Sequence, residues 1–165
     1  MITLTQKETS LLQDSKKQEE ICIEKYERYS SEASDPQLQD LFRQLGSKER
    51  EHLNSINQIL SGTVPNVNAG GQGNQQQMQQ QMQQKMQAMP QLQAQSAVSG
   101  NQSKSDAYLC TDALSTEKHV SAVYDTAIFE FKDASIRQVL NHIQKEEQEH
   151  GEKIYNYMAQ HGMYN

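Results

Sequence analysis

Two stretches of this sequence repeat one pattern, Glu49-Arg-Glu-His52 and Glu147-Gln-Glu-His150. In each, a carboxylate precedes an imidazole by three positions, a spacing that puts both side chains on one face of a helix. Glu19 and Glu117 each lie 30 residues upstream of one of these pairs. Four carboxylates and two imidazoles gathered in a dry core have an obvious chemistry. Four ionised carboxylates would be very costly to bury without counter-charge, and two divalent cations supply it. Carboxylate with imidazole suits iron or manganese, and the lack of a cysteine ligand argues against structural zinc. The expected metal ligands are Glu19, Glu49, His52, Glu117, Glu147 and His150, around two divalent ions.

One Glu-x-x-His on a charged helix is ordinarily a solvated face, and Glu51 and Glu149 are expected to be just that. The case for ligands rests on two copies in register, each with its own upstream Glu. Glu20, Glu24 and Glu27 compete for the place on the first helix; Glu19 is preferred because the third helix offers only Glu117 at the matching position.

Helices must hold these groups. A first helix is predicted over Thr5 to Ala33, with Leu12, Ile23 and Tyr26 on one stripe. A second begins at Asp35-Pro36, where Asp caps and Pro suits the first helical position. It carries Leu38, Leu41, Phe42, Leu45, Ile56, Ile59 and Leu60 at helical spacing and stops at Gly62 and Pro65. A third is predicted over Lys104 to Lys132, with Leu109, Leu114, Val120, Tyr124, Ile128 and Phe131 inward. Asp133 caps the fourth, whose inward residues are Ile136, Val139, Leu140, Ile143, Ile154, Tyr157 and Met158.

Short turns make each pair an antiparallel hairpin, residues 4–61 and 104–161, within one bundle domain. Between them, residues 62–103 form a Gln/Met-rich, low-complexity crossover that cannot build a core of its own. Flexibility is the plain reading of that segment; Met78, Met82, Met86 and Met89 also fit a transient amphipathic helix.

The hairpins match each other without a gap at an offset of 98 residues. Leu11 pairs with Leu109, Asp14 with Asp112, Glu19 with Glu117, Tyr26 with Tyr124 and Asp35 with Asp133. Glu49, Glu51, His52 and Ile56 pair with Glu147, Glu149, His150 and Ile154. Geometry agrees with the pairing. Glu19 and Glu49 are centred on the first turn, Glu117 and Glu147 on the second, each about 22 Å from its turn at 1.5 Å per residue. All four carboxylates can therefore share one layer. Tyr26 and Tyr124, two turns away, are expected chiefly to pack in the core, with a supporting hydrogen bond to a ligand as the lesser alternative. Cys22 reads as a small buried hydrophobe, and His119, His142 and His161 receive no role.

Composition narrows the rest. The 165 residues suit one domain, and a chain rich in Gln, Glu, Lys and Leu with no Trp and three Pro favours helices. Net charge is −6 with no basic stripe, so nucleic acid is not an expected partner. No apolar run approaches the roughly 20 residues of a membrane span, and Met1 to Gln13 lacks the features of a secretory signal. Two cysteines, Cys22 and Cys110, are too few for a disulfide framework, which fits synthesis in a cytoplasm-like compartment.

The layout, two hairpins with one long crossover and Glu/Glu-x-x-His ligands, is that of ferritin-like four-helix bundles. The whole chain apart from the Gln-rich insert resembles the spore coat protein F family of endospore-forming bacteria. The resemblance lies in the hairpin Leu4 to Leu60, with Tyr26, Asp35-Pro36 and Lys48-Glu-Arg-Glu-His52, and in Leu109 to Met158, ending in Glu146-Glu-Gln-Glu-His150 and a Tyr/Met-rich tail. It implies a sporulation protein made in the mother-cell cytoplasm and assembled on the spore coat. Other coat proteins are the implied partners, and a homodimer is open. By analogy with ferritin-like sites, Glu49 and Glu147 bridge the metals while Glu19, His52, Glu117 and His150 are terminal. The paired CxxC module of rubrerythrin-type electron entry is missing. The functions expected are a coat component stabilised by metal, a peroxide-handling oxidoreductase of manganese catalase or di-iron type, or a metal-free interaction module.

Overall fold

Capping residues fix where the helices begin. Thr5 and Glu8 form a reciprocal capping box at the head of α1, which runs Gln6–Glu32. Asp35 accepts the Gln37 N–H at 2.9 Å, and Pro36 opens α2, Pro36–Leu60. Asp133 accepts the Ser135 and Ile136 N–H groups at 2.8 and 3.2 Å ahead of α4, Ala134–Gln160. The remaining helix, α3, spans Gly100–Glu130 and so starts four residues before Lys104, the expected start. This computed structural model describes residues 2–66 and 100–164, with side chains from 104 in the second segment. The Met78, Met82, Met86 and Met89 pattern and most of the 62–103 crossover lie outside the described residues.

The described residues form four helices and no strand. α2 ends where Gly62 takes a positive φ of 91°, letting the Thr63 N–H return to the Gln58 carbonyl at 2.9 Å. Contact partners give the topology. α1 packs on α2, α3 on α4, α1 on α3, and α2 on α4. Lys7 reaches Glu130 while Lys25 reaches Asp112, so α1 and α3 are antiparallel. Asp35 reaches Tyr157 while His52 reaches Glu146, so α2 and α4 are antiparallel as well. With two antiparallel hairpins, α2 and α3 then point the same way from opposite corners. That arrangement is a four-helix bundle.

The core follows the predicted stripes: Leu12, Tyr26, Leu38, Phe42, Leu45, Ile56, Ile59, Val120, Tyr124, Ile136, Leu140, Ile143 and Ile154 are buried. Each such side chain contributes about 1.5–3 kcal/mol on leaving water. Ile23, Leu41, Leu60, Leu114 and Ile128 are only half-buried, because they flank the stripe rather than centre it. Gly46 brings α1 and α2 together: a Cβ there would stand 3.2 Å from the Tyr26 Cβ.

Polar anchors not anticipated in the sequence tie the hairpins. Glu8, buried at the head of α1, accepts the Lys132 N–H of the second turn at 3.1 Å. Asp106, buried near the head of α3, accepts the Ser34 and Asp35 N–H groups of the first turn at 2.8 and 3.1 Å. Positions 8 and 106 are themselves 98 residues apart. Among the described residues, no helix is long and apolar enough to cross a membrane.

Candidate metal centre

Each bundle helix presents charge to one buried layer. α1 presents Glu19, α3 presents Glu117, and α2 and α4 present the pairs Glu49/His52 and Glu147/His150. All six are at most 2 % exposed. They fall into two groups whose ligand atoms lie within 4.8 Å of one another: Glu19, Glu49, His52 and Glu147, and Glu49, Glu117, Glu147 and His150. Glu49 and Glu147 belong to both. The structure thus brings together all six residues singled out by spacing. Glu51 is exposed and pairs with Lys48, and the side chain of Glu149 is 44 % exposed beside Lys145, so both belong to the solvated face.

The two shared carboxylates turn one oxygen toward each imidazole. Glu49 places Oε2 at 3.1 Å from His52 Nδ1 and Oε1 at 3.0 Å from His150 Nδ1. Glu147 places Oε1 at 3.0 Å from His52 Nδ1 and Oε2 at 3.5 Å from His150 Nδ1. Glu19 and Glu117 complete the sets, at 3.6 Å from His52 Nδ1 and 3.7 Å from His150 Nδ1. Each Nδ1 therefore faces three carboxylates, yet it can donate only one proton.

Hydrogen bonding leaves the layer under-satisfied. Glu19 Oε2, Glu117 Oε2, both Glu147 oxygens and His150 Nε2 are buried without a hydrogen-bond partner. Buried polar atoms left in this way cost about 1–3 kcal/mol each. A cation that several oxygens and a nitrogen approach at once removes that cost for the whole group. The donor set, carboxylate and imidazole without thiolate, fits iron or manganese. Cys22 is buried within electrostatic reach of all four carboxylates, but burial pushes its thiol far up and it joins neither group.

Without a bound cation, protons balance the charge. Burial pushes Glu19 and Glu117 up to about 8. Burial also raises Glu49, but hydrogen bonds to His150 and His52 more than offset it and leave the group below the usual carboxylate range. Glu147 is held below the usual carboxylate range as well, against burial, by the charge of its imidazole neighbours His150 and His52. Burial opposes charge on His52, but Glu146, Glu147, Glu19 and Glu49 hold it well above the usual imidazole range. His150 is likewise held up to about 11, against burial, by Glu117, Glu147 and Glu49.

The supporting groups are only partly those expected. The Tyr124 hydroxyl donates to Glu19 and the Tyr26 hydroxyl to Glu117, while both rings are fully buried. These tyrosines therefore do more than pack: each helix-one or helix-three carboxylate is held by the tyrosine of the facing helix. His52 Nε2 meets Glu146 at 3.0 Å, and Glu146 is also met by His142 at 3.4 Å and Lys48 at 3.5 Å. Spacing gave no sign of Glu146 or His142, because neither lies on an inward stripe. The signal for the tyrosines was there: they share the 98-residue offset of the carboxylates they hold.

Residues 105–165 match the family model of the Coat F domain. The matched segment contains α4 and nearly all of α3, and with them Glu117, Glu147, His150, Tyr124 and Glu146. No curated protein and no solved structure matches the chain.

Proposed function

We propose that this chain is a spore-coat-associated, ferritin-like four-helix bundle whose core holds two divalent ions, iron or manganese. The observation that carries the metal centre is that Glu49 and Glu147 each direct one oxygen to each imidazole. In this reading Glu49 and Glu147 would serve both ions, Glu19 and His52 would complete the ligands of one, and Glu117 and His150 those of the other. The association with the coat, and with other coat proteins as partners, is supported by the Coat F match over the second hairpin. Synthesis in the mother cell followed by assembly on the spore surface belongs to the same reading, and the match supports its coat localisation.

The chain's own residues do most of the work here. Leu12, Leu45, Ile56, Val120, Ile143 and Ile154 are buried on the same helical stripes as the charged residues and add apolar bulk to the core around the layer. Tyr26 and Tyr124 orient the two unshared carboxylates through their hydroxyl protons. Glu146 fixes which nitrogen of His52 faces the centre. A pair of such ions, when bound, supplies peroxide binding and redox cycling. The oxidoreductase reading is therefore kept beside the structural one, and one observation favours it: a groove between α3 and α4 lined in part by Glu117 and Glu147.

Metal content decides the reading. Mass spectrometry of protein purified without chelators is expected to find about two irons or manganeses per chain. Glu49→Ala and Glu147→Ala are expected to lose both. A wild-type chain that holds no metal after anaerobic reconstitution would leave a bundle serving structure alone.

A further inference from the structure

The groove between α3 and α4 has a volume of about 340 Å³ and is lined by Leu114, Lys118, Ser121, Gln148 and Gly151, with Glu117 and Glu147 beneath. The last two belong to the group that contains His150. Gly151 adds no side chain to the groove: a Cβ there would make ordinary contact with Leu114 Cδ1 at 3.6 Å, and a longer side chain would take up space beside it. The first hairpin carries different residues at the matching positions. Leu53 stands where Gly151 stands, and Ile23 where Ser121 stands. Both are half-buried and bulky. Glu20 takes the place of Lys118, so the charge beside the centre is also reversed.

We infer that a small anion or peroxide reaches the centre through the Gly151 groove, and so from the Glu117/His150 side. The inference rests on the two-metal reading and adds a direction of access to it. Lys118, exposed at the mouth, favours an anion or a polar neutral molecule over a cation. His150 Nε2 has no protein partner, whereas His52 Nε2 is held by Glu146. The side that the groove serves is thus also the side whose imidazole is less constrained.

The test uses the full chain loaded with ferric iron and azide as the probe, read by its charge-transfer absorption. Wild type is expected to bind azide. Gly151→Leu, which installs the first hairpin's residue, is expected to keep two irons and slow azide association roughly tenfold or more. Ser121→Ile is expected to act in the same direction and covers the case in which Gly151→Leu fails to fold. Leu114→Ala, which widens the mouth, is expected to speed azide association. Azide association in Gly151→Leu and Ser121→Ile as fast as in wild type, with two irons present, overturns the inference alone. A wild type that holds iron but never binds azide does the same. A wild type that holds no metal overturns the two-metal reading, and this inference with it.

Discussion

The two hairpins build the same layer and then treat it differently. Matched positions supply the ligands, the turn caps Asp35 and Asp133, the tyrosines Tyr26 and Tyr124, and the buried acids Glu8 and Asp106. Position 48 breaks the match. Glu146 of the second hairpin holds His52, but its counterpart in the first hairpin is Lys48, and His150 Nε2 has no partner. Position 53 breaks it again, with Leu53 against Gly151. The Lys25 and Tyr29 pair that grips Asp112 at 2.6 and 2.5 Å has only Val123 and Ala127 as counterparts, so Asp14 faces a groove instead. Residues that create the cavity of charge are shared by both halves. Those that govern its orientation and access belong to one half.

Removing what both halves share should have the largest effect. Glu49→Ala or Glu147→Ala is expected to abolish binding of both ions, whereas Glu19→Ala or Glu117→Ala is expected to leave one; stoichiometry by mass spectrometry separates the two outcomes. Equal losses in all four variants would mean that Glu49 and Glu147 are not special. The next contrast concerns the imidazoles. Glu146→Gln is expected to weaken one of two metal-binding steps about 10–100-fold while stoichiometry stays at two. Lys48→Glu, which offers His150 the carboxylate that His52 already has, is expected to tighten the other step. Isothermal titration of chelator-stripped protein resolves both steps, and two identical steps in wild type would contradict the asymmetry.

Acidity sharpens the comparison between the stripped and loaded states. Glu19 and Glu117 titrate at about 8 in the fold against an ordinary value near 4.5, so between those limits the folded chain holds more protons than the unfolded one. Stability without metal must then fall as pH rises through that window, and His150, held up to about 11, extends the loss upward. Glu49 and Glu147, held low, make stability fall again in acid. The melting temperature of stripped protein is expected to peak near about pH 5 and decline toward pH 8. Metal binding must displace those protons, so added metal is expected to reverse the slope. A stripped chain that grows more stable from pH 5 to 8 would refute the proton balance. The smallest effect tests equivalence. Tyr26→Phe and Tyr124→Phe each remove one hydroxyl from a buried carboxylate, and each is expected to cost about 1–3 kcal/mol in urea unfolding at pH 7. Similar values mark the two halves as alike at this level.

Much of this was legible in the sequence because helical spacing and turn distance are both linear in residue number. Glu19 and Glu49 could be placed at one height from the chain alone, and Asp35 and Asp133 announced the turns that set that height. Glu146 was not legible. It sits off the inward stripe, and its importance comes from an imidazole on another helix, which no local pattern encodes. The tyrosines were placed correctly but read chiefly as packing, since a ring on an apolar stripe does not reveal where its hydroxyl ends. Glu8 was not singled out either: it completes a capping box with Thr5, and its second partner across the bundle leaves no mark on its neighbours. The Gly151 groove depends on what is missing from a side chain, and it becomes visible only when Leu53 is set beside it.

The reciprocal grip of Glu8 and Asp106 on the opposite turns has a consequence for chain entropy. Each half supplies the clasp for the other, so the connection between them serves mainly to keep the halves at high effective concentration. Loop-closure cost grows only logarithmically with length, so doubling the segment between α2 and α3 should cost about 0.6 kcal/mol. Losing Asp106 would remove two cross-hairpin hydrogen bonds from the first turn, each worth about 0.5–1.5 kcal/mol. In energetic terms the chain is a dimer whose subunits happen to be covalently joined, tolerant of changes in its tether and intolerant of changes at positions 8 and 106.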